Sequence, residues 1–193
     1  MDIETTGGYN GLDHITTIAL WDGHTARHYV HGRNLEDFLD DILRYKLVVT
    51  FNGRCFDVPV IEKYFKTRLP LAHMDLRFVL ASAGVAGGLK KVEKHFGLDR
   101  GALDGVDGYW AVLLWQLFDT TGDEAALNTL LAYNMEDVLS LEILAAHAYN
   151  LLASQTPFGP DMTLSIPQPG LNPFTPDPKV LARVQKRMRY RRH

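Results

Sequence analysis

Two carboxylates open the chain, Asp2 and Glu4, separated only by Ile3. If this segment is extended, as Ile3 and the Thr5-Thr6 pair allow, both acids point to one face. Acids so placed repel one another unless a cation sits between them. A polar, frayed terminus with two acids by chance is the plain alternative. A third acid, Asp57, follows the apolar run Leu47 to Phe51 and the loop Asn52-Gly53-Arg54-Cys55-Phe56, just where a helix can begin. Taken alone it reads most simply as a helix N-cap. Tyr133 and Asp137 lie four apart, hence on one face of a helix. Such pairs are most often surface coincidences, but Leu130, Leu141 and Leu144 lie along or beside the same stripe, and buried polar groups need partners.

The elements that must position these residues come in two halves. Ile15 to Leu20 and Ala26 to Val30 read as strands joined by the hairpin dipeptide Asp22-Gly23. Asn34 can cap a helix carrying Leu35, Phe38, Leu39, Ile42 and Leu43, and Leu47 to Phe51 reads as a buried strand. A short helix with Pro59 near its first turn follows, then a strand from Leu71 to Met74. The second half is helical. Leu89, Val92, Phe96 and Leu98 mark an amphipathic helix ending at Gly97; Trp110, Leu113, Leu114, Leu117 and Phe118 mark another; Asp123 to Ala153 forms one helix or two. Strands followed by helices predict an α/β fold with a mixed β-sheet flanked by α-helices.

Residues 155 to 178 hold seven of the nine prolines and predict an extended arm over the surface. Beyond it, Val180, Val184 and Met188 recur every four residues in a basic tail, residues 179 to 193. The expected organisation is a domain over 1–154, an arm over 155–178 and a tail over 179–193. The tail carries +7, leaving −10 for the rest of a chain whose formal net charge is −3. An acidic body suits a centre that clusters carboxylates around cations, although solvated acidic faces give the same number. No apolar run reaches the ~18 residues of a membrane helix. One cysteine, Cys55, fits a reducing cytoplasm, and eight scattered histidines show no zinc spacing.

Asp-Ile-Glu-Thr, then Asn-x-x-x-Phe-Asp, then Tyr-x-x-x-Asp resemble the three exonuclease motifs of the DEDD (DnaQ-like, RNase H-like) superfamily, in its tyrosine subgroup. The stretches DIETTG at 2–7, FNGRCFD at 51–57, GGLKKVEKHFG at 87–97 and AYNMEDVLSLEIL at 132–144 are most similar to the YprB-type RNase H-like family. The resemblance implies that Asp2, Glu4 and Asp137 bind one Mg²⁺ or Mn²⁺ ion, and that Asp2 and Asp57 hold a second. Tyr133 would orient the attacking water. It implies 3'-5' exonuclease activity on single-stranded DNA or RNA, with a degenerate binding module or an endonuclease as alternatives. Two cations about 4 Å apart suit phosphodiester hydrolysis on physical grounds, because they create hydroxide, neutralise the phosphate and stabilise the leaving oxygen. Asn52 would neighbour the substrate, Phe56 would pack beneath the site, and Lys179, Arg183, Lys186 and Arg187 of the tail would contact phosphates. His73 and Asp75 could form an outer ring, with Asp75 better explained as a helix cap. Lys90, Lys91 and Lys94 could reach phosphates but read more simply as a solvated face. Family members carry several apolar residues before Asp-x-Glu where this chain has Met1 alone, so Asp2 is expected to be weakly held.

Overall fold

In the computed structural model, which describes residues 1–8 and 14–191, β-branched residues build a hairpin that anchors the first strand. Strand β1 (Asp2–Thr5) pairs antiparallel with β2 (Ile15–Trp21), which pairs antiparallel with β3 (Ala26–Val30). The turn between β2 and β3 is closed by Asp22, whose Oδ1 accepts from the amides of His24 and Thr25. A separate parallel pair joins β4 (Leu47–Thr50) to β5 (Ala72–Asp75). The mixed α/β architecture is as expected, but hydrogen bonding divides the strands into an antiparallel three and a parallel two. The Met1 amine bridges them by donating to the Val49 carbonyl at 2.8 Å. Met1 is buried, so the first strand is tied down rather than frayed.

The period-two rule sorts β1 cleanly. Ile3 faces a core with Ile18, Leu35, Phe38 and Ile61, under the short helix α1 (Phe38–Ile42) and α2 (Asp57–Phe65). Asp2 and Glu4 face the other way. On that side Ala19 of β2 packs with Met135, Val138 and Leu139 of the long helix α6 (Glu124–Ala153). Helices α3 (Leu76–Ser82) and α4 (Leu89–His95) close one end of α6, and α5 (Gly108–Thr121) packs along its first half. Two details depart from expectation. Asn34 does not cap: its side chain accepts from the Val30 amide and donates to the His28 carbonyl, closing the turn after β3, and a 3-10 turn (Leu35–Asp37) leads into α1. Leu47 is exposed, so β4 is buried only from Val48 onward.

Glu124 to Ala153 is one helix, started by Asp123, whose Oδ1 accepts from the amides of Ala125 and Ala126. With no proline or glycine in 30 residues, nothing interrupts it. The proline-rich segment runs back along α6: Asn150 bonds Leu164, Asn172 donates to Ala132 and Glu136, and the Asp177 amide donates to Thr129. It delivers α7 (Pro178–Arg191), which buries Val180 and Val184 against α5 and α6 and leaves Lys179, Arg183, Lys186 and Arg187 exposed. Arg192 and His193 of the basic tail lie outside the described residues, as do the side chains of residues 189–191. No helix among the described residues is long and apolar enough to cross a membrane.

Because Val184 is core and Lys186 is not, one helix offers its own control. Val184→Asp should lower stability by roughly 3 kcal/mol, about 10 °C in melting temperature, whereas Lys186→Glu should leave it within about 0.5 kcal/mol. Thermal melts followed by circular dichroism would check both.

Candidate metal centre

Strand alternation puts Asp2 and Glu4 on the α6 face of β1, and α6 presents Tyr133, Asn134 and Asp137 to them. One carboxylate oxygen from each of Asp2, Glu4 and Asp137 lies within 4.8 Å of the others. Asp57 is adjacent but outside this trio. It opens α2 without capping it, and its Oδ1 instead accepts from the Ile3 amide at 3.1 Å, tying the second motif to the first strand. Tyr133 is buried one turn before Asp137. Four carboxylates from three separate stretches thus converge on one place.

Their electrostatics follow from crowding and burial. Desolvation, then the charges of Asp57, Asp137 and Glu4, push the Asp2 carboxyl well above its usual range. Glu4 moves the same way, from burial and then from Asp137 and Asp57. Burial raises Asp57 to about 6, against the pull of its backbone donors and the Met1 amine. Asp137 is raised by burial, with Arg100 opposing. Carboxyls that resist ionisation singly and lie this close together are suited to sharing a cation, and an all-oxygen donor set suits a hard divalent ion.

Residues beyond the four acids and Tyr133 hold this arrangement. Asn134, fully buried, donates from Nδ2 to Asp2 Oδ2 at 2.7 Å and accepts from the Thr17 hydroxyl at 3.0 Å. It fixes the Asp2 carboxylate to both α6 and β2. Arg100, its side chain 5% exposed, forks onto Glu93 through Nε and Nη2 at 2.5 and 2.6 Å and pairs through Nη1 with Asp137 Oδ1. Burial would lower its affinity for protons, but Asp137 and Glu93 overcome that and raise it. Lys90 is not a merely solvated lysine: its ammonium bonds the Val106 carbonyl, reaches the Tyr133 hydroxyl at 3.1 Å and stands 4.8 Å above that ring. Burial lowers Lys90, while Tyr133 is raised by burial and then by Asp137, Glu4 and Asp2.

The loop before Asp57 is held by several hydrogen bonds. Asn52 takes φ +69°, a left-handed conformation that asparagine tolerates, and Asp75 accepts from the amides of Asn52, Arg54 and Arg77. Asp75 therefore caps α3 and braces the loop at once. A side chain at Gly53 would collide with Thr50, whose hydroxyl accepts the Gly53 amide. The Asn52 side chain accepts from Arg77 at 2.5 Å and takes no place in the carboxylate cluster. His73 bonds Thr50 and stays outside it too. Phe56 does not pack beneath the site, being 41% exposed at the start of α2. Lys91 is exposed, and Lys94 pairs with Asp104. Lys179, Arg183, Lys186 and Arg187 all lie on α7, which packs on α5 and the first half of α6; Arg183 stands 3.5 Å from Asp123 at the head of α6, and none of the four belongs to the carboxylate trio.

Asn134 occupies an unspecified position within the third motif and could have been suspected from the helical stripe, since it lies three residues before Asp137; nothing in the sequence marks Arg100. Gly7, the end of the first motif, has φ +77° and sits where a Cβ would meet Val112 of α5 at 2.8 Å, so its smallness lets α5 close over β1.

A family model described as RNase_H superfamily (RNase_H_2) matches residues 1–149. No curated protein and no solved structure matches the chain.

Removing one partner of a buried network is the costly change. Asn134→Ala should therefore destabilise by about 1–3 kcal/mol, while Phe56→Ala should cost under about 1 kcal/mol. Urea titrations of the two variants would compare them directly; equal losses would show that the Asn134 network contributes no more to stability than the half-exposed Phe56 side chain.

Proposed function

The chain belongs to the RNase H superfamily, and from that premise we propose that it is a metal-dependent 3'-5' exonuclease of the DEDD type, tyrosine subgroup, similar to the YprB-type family. It releases nucleoside 5'-monophosphates from single-stranded DNA or RNA. The observation that carries this reading is the convergence of Asp2, Glu4 and Asp137 within 4.8 Å. Two Mg²⁺ or Mn²⁺ ions would lower the pKa of the attacking water and neutralise charge on the phosphate and the leaving oxygen. Asp2, Glu4 and Asp137 would hold one ion, and Asp2 with Asp57 the other. Tyr133, its hydroxyl accepting from Lys90, would orient the water. Water oxygen bonds to phosphorus, the P–O3' bond breaks, and the 3' oxygen leaves with a proton as the new terminal hydroxyl. Asn52, and Lys179, Arg183, Lys186 and Arg187 of α7, would contact the strand, the α7 cations through phosphates.

A second reading is favoured by one contact. Arg100 already supplies Asp137 with a positive partner, which would suit a nucleic-acid-binding module that performs no hydrolysis. Asp137→Asn separates the two. Keeping the shape while removing a charge, it should reduce hydrolysis of labelled single-stranded DNA and RNA by orders of magnitude in Mg²⁺ or Mn²⁺, with binding largely retained. Tyr133→Phe should lose about 10- to 100-fold, because only positioning suffers. Hydrolysis that is absent in the unaltered protein, or undiminished in Asp137→Asn, would remove the exonuclease reading.

Each phosphate contact releases counterions, so the α7 cations should also show in salt dependence. The double change Lys186→Glu with Arg187→Glu should weaken binding across sequences and flatten the log–log salt slope by about one unit per lost contact. An unchanged slope would restrict α7 to packing.

A further inference from the structure

Glu93 and Arg100 form a buried ion pair that the hydrolytic step does not use. Glu93 lies on α4 and Arg100 in the turn after it, their side chains 2% and 5% exposed. Desolvating such a pair costs about as much as its attraction returns, and apolar residues of similar volume often serve stability as well or better. Stability alone is thus a weak account of it. Its geometry is more informative. Nε and Nη2 are both occupied by Glu93, which leaves the remaining amino group, Nη1, in ion-pair contact with Asp137 Oδ1, although neither of those two atoms makes a hydrogen bond. The guanidinium cannot swing off Asp137 without breaking the two-point contact to Glu93, and its fixed planar charge is not lost at any ordinary pH.

We infer that Arg100, clamped by Glu93, is a built-in counter-cation for Asp137 that competes with a divalent ion for that carboxylate and so sets how tightly the centre binds metal. The inference rests on the reading of Asp137 as a metal ligand. Arg100 balances the crowded acids before an ion arrives, and thereafter a single positive charge stands beside a doubly positive one. Glu93 moderates that repulsion by neutralising much of the guanidinium. The two residues therefore act in opposite directions on the ion: Arg100 against it, Glu93 for it.

The test is Mn²⁺ binding to the full chain by titration calorimetry without nucleic acid, with melting temperatures taken with and without Mn²⁺. Arg100→Gln should bind Mn²⁺ on the order of tenfold more tightly than the unaltered protein, and its melting temperature should rise more on adding the ion. Glu93→Gln keeps the shape and leaves the guanidinium unbalanced, so it should bind on the order of tenfold more weakly. Two variants that melt lower but bind Mn²⁺ as the unaltered protein does would make the pair a plain tie between α4 and α6. Weaker binding in both would make Arg100 an orienting group instead of a competitor. Either result overturns the inference. If Arg100→Gln does not fold, Glu93→Gln decides alone, with unchanged or tighter binding overturning it. Asp137→Asn reports separately on the underlying reading. If the unaltered protein binds no Mn²⁺, or Asp137→Asn binds it equally well, the metal-ligand reading fails; if both behave as expected, only the Arg100 inference is at stake.

Discussion

Like charges that must sit together set the terms for everything around them. Two unit charges 4 Å apart repel by about 4 kcal/mol at an effective dielectric near 20, a large part of the 5–15 kcal/mol that keeps a typical protein folded. The chain gathers Asp2, Glu4, Asp57 and Asp137 despite this, and the surrounding structure can be understood as the set of contacts that make the gathering tolerable. Asp57 takes the Ile3 amide, Asp2 takes the Asn134 amide group, and Asp137 takes the Arg100 guanidinium. Each contact also joins two elements, so the bonds that orient the acids are the ones that hold β1 to α2, β1 to α6 and the turn after α4 to α6.

Helix α6 is what makes this possible. Thirty residues at about 1.5 Å each give a rod of roughly 45 Å, long enough to touch the β2 strand, α3, α4, α5 and the arm in turn. Its middle is buried almost all round, polar positions included, which is the mark of a helix inside a protein rather than laid on its surface. Most polar residues there have a named partner: Thr129 bonds Asp177, Asn134 bonds Thr17 and Asp2, Glu142 bonds Trp21, and Asp137 has the Arg100 ion pair but no hydrogen bond at Oδ1. A long helix with partnered polar positions holds an acid to a fixed place better than a loop can.

What was legible in the sequence was whatever repeats or recurs locally. Period-two alternation placed Asp2 and Glu4 on one face, the turn dipeptide Asp22-Gly23 marked the hairpin, and Val180, Val184 and Met188 marked the last helix. Contacts between distant stretches were not legible. Arg100 follows an unremarkable Asp99 in a loop, and only the fold reveals that Glu93, seven residues back, aims it at Asp137. Phe56 shows the opposite failure: an aromatic beside an acidic motif suggests core, yet the tight loop braced by Asp75 turns it outward. Lys90 was hidden for a third reason. Its neighbours Lys91 and Lys94 are ordinary solvated lysines, and the run of three disguises the one that helical geometry turns inward to Tyr133.

Charge separation completes the argument. The acids are concentrated where β1 meets α6, while the exposed cations Lys179, Arg183, Lys186 and Arg187 ride on a helix attached through Val180 and Val184. A phosphate chain is repelled by the first region and attracted by the second. An acidic centre left without cations would therefore oppose a phosphate, and divalent ions bound there would offset its field. The same ions would relieve the repulsion among the carboxylates and attract the phosphate. Arg100 and Lys90, with only one charge each, can balance part of the crowding but cannot reverse it, and this is the physical reason that the proposed centre would take up further positive charge.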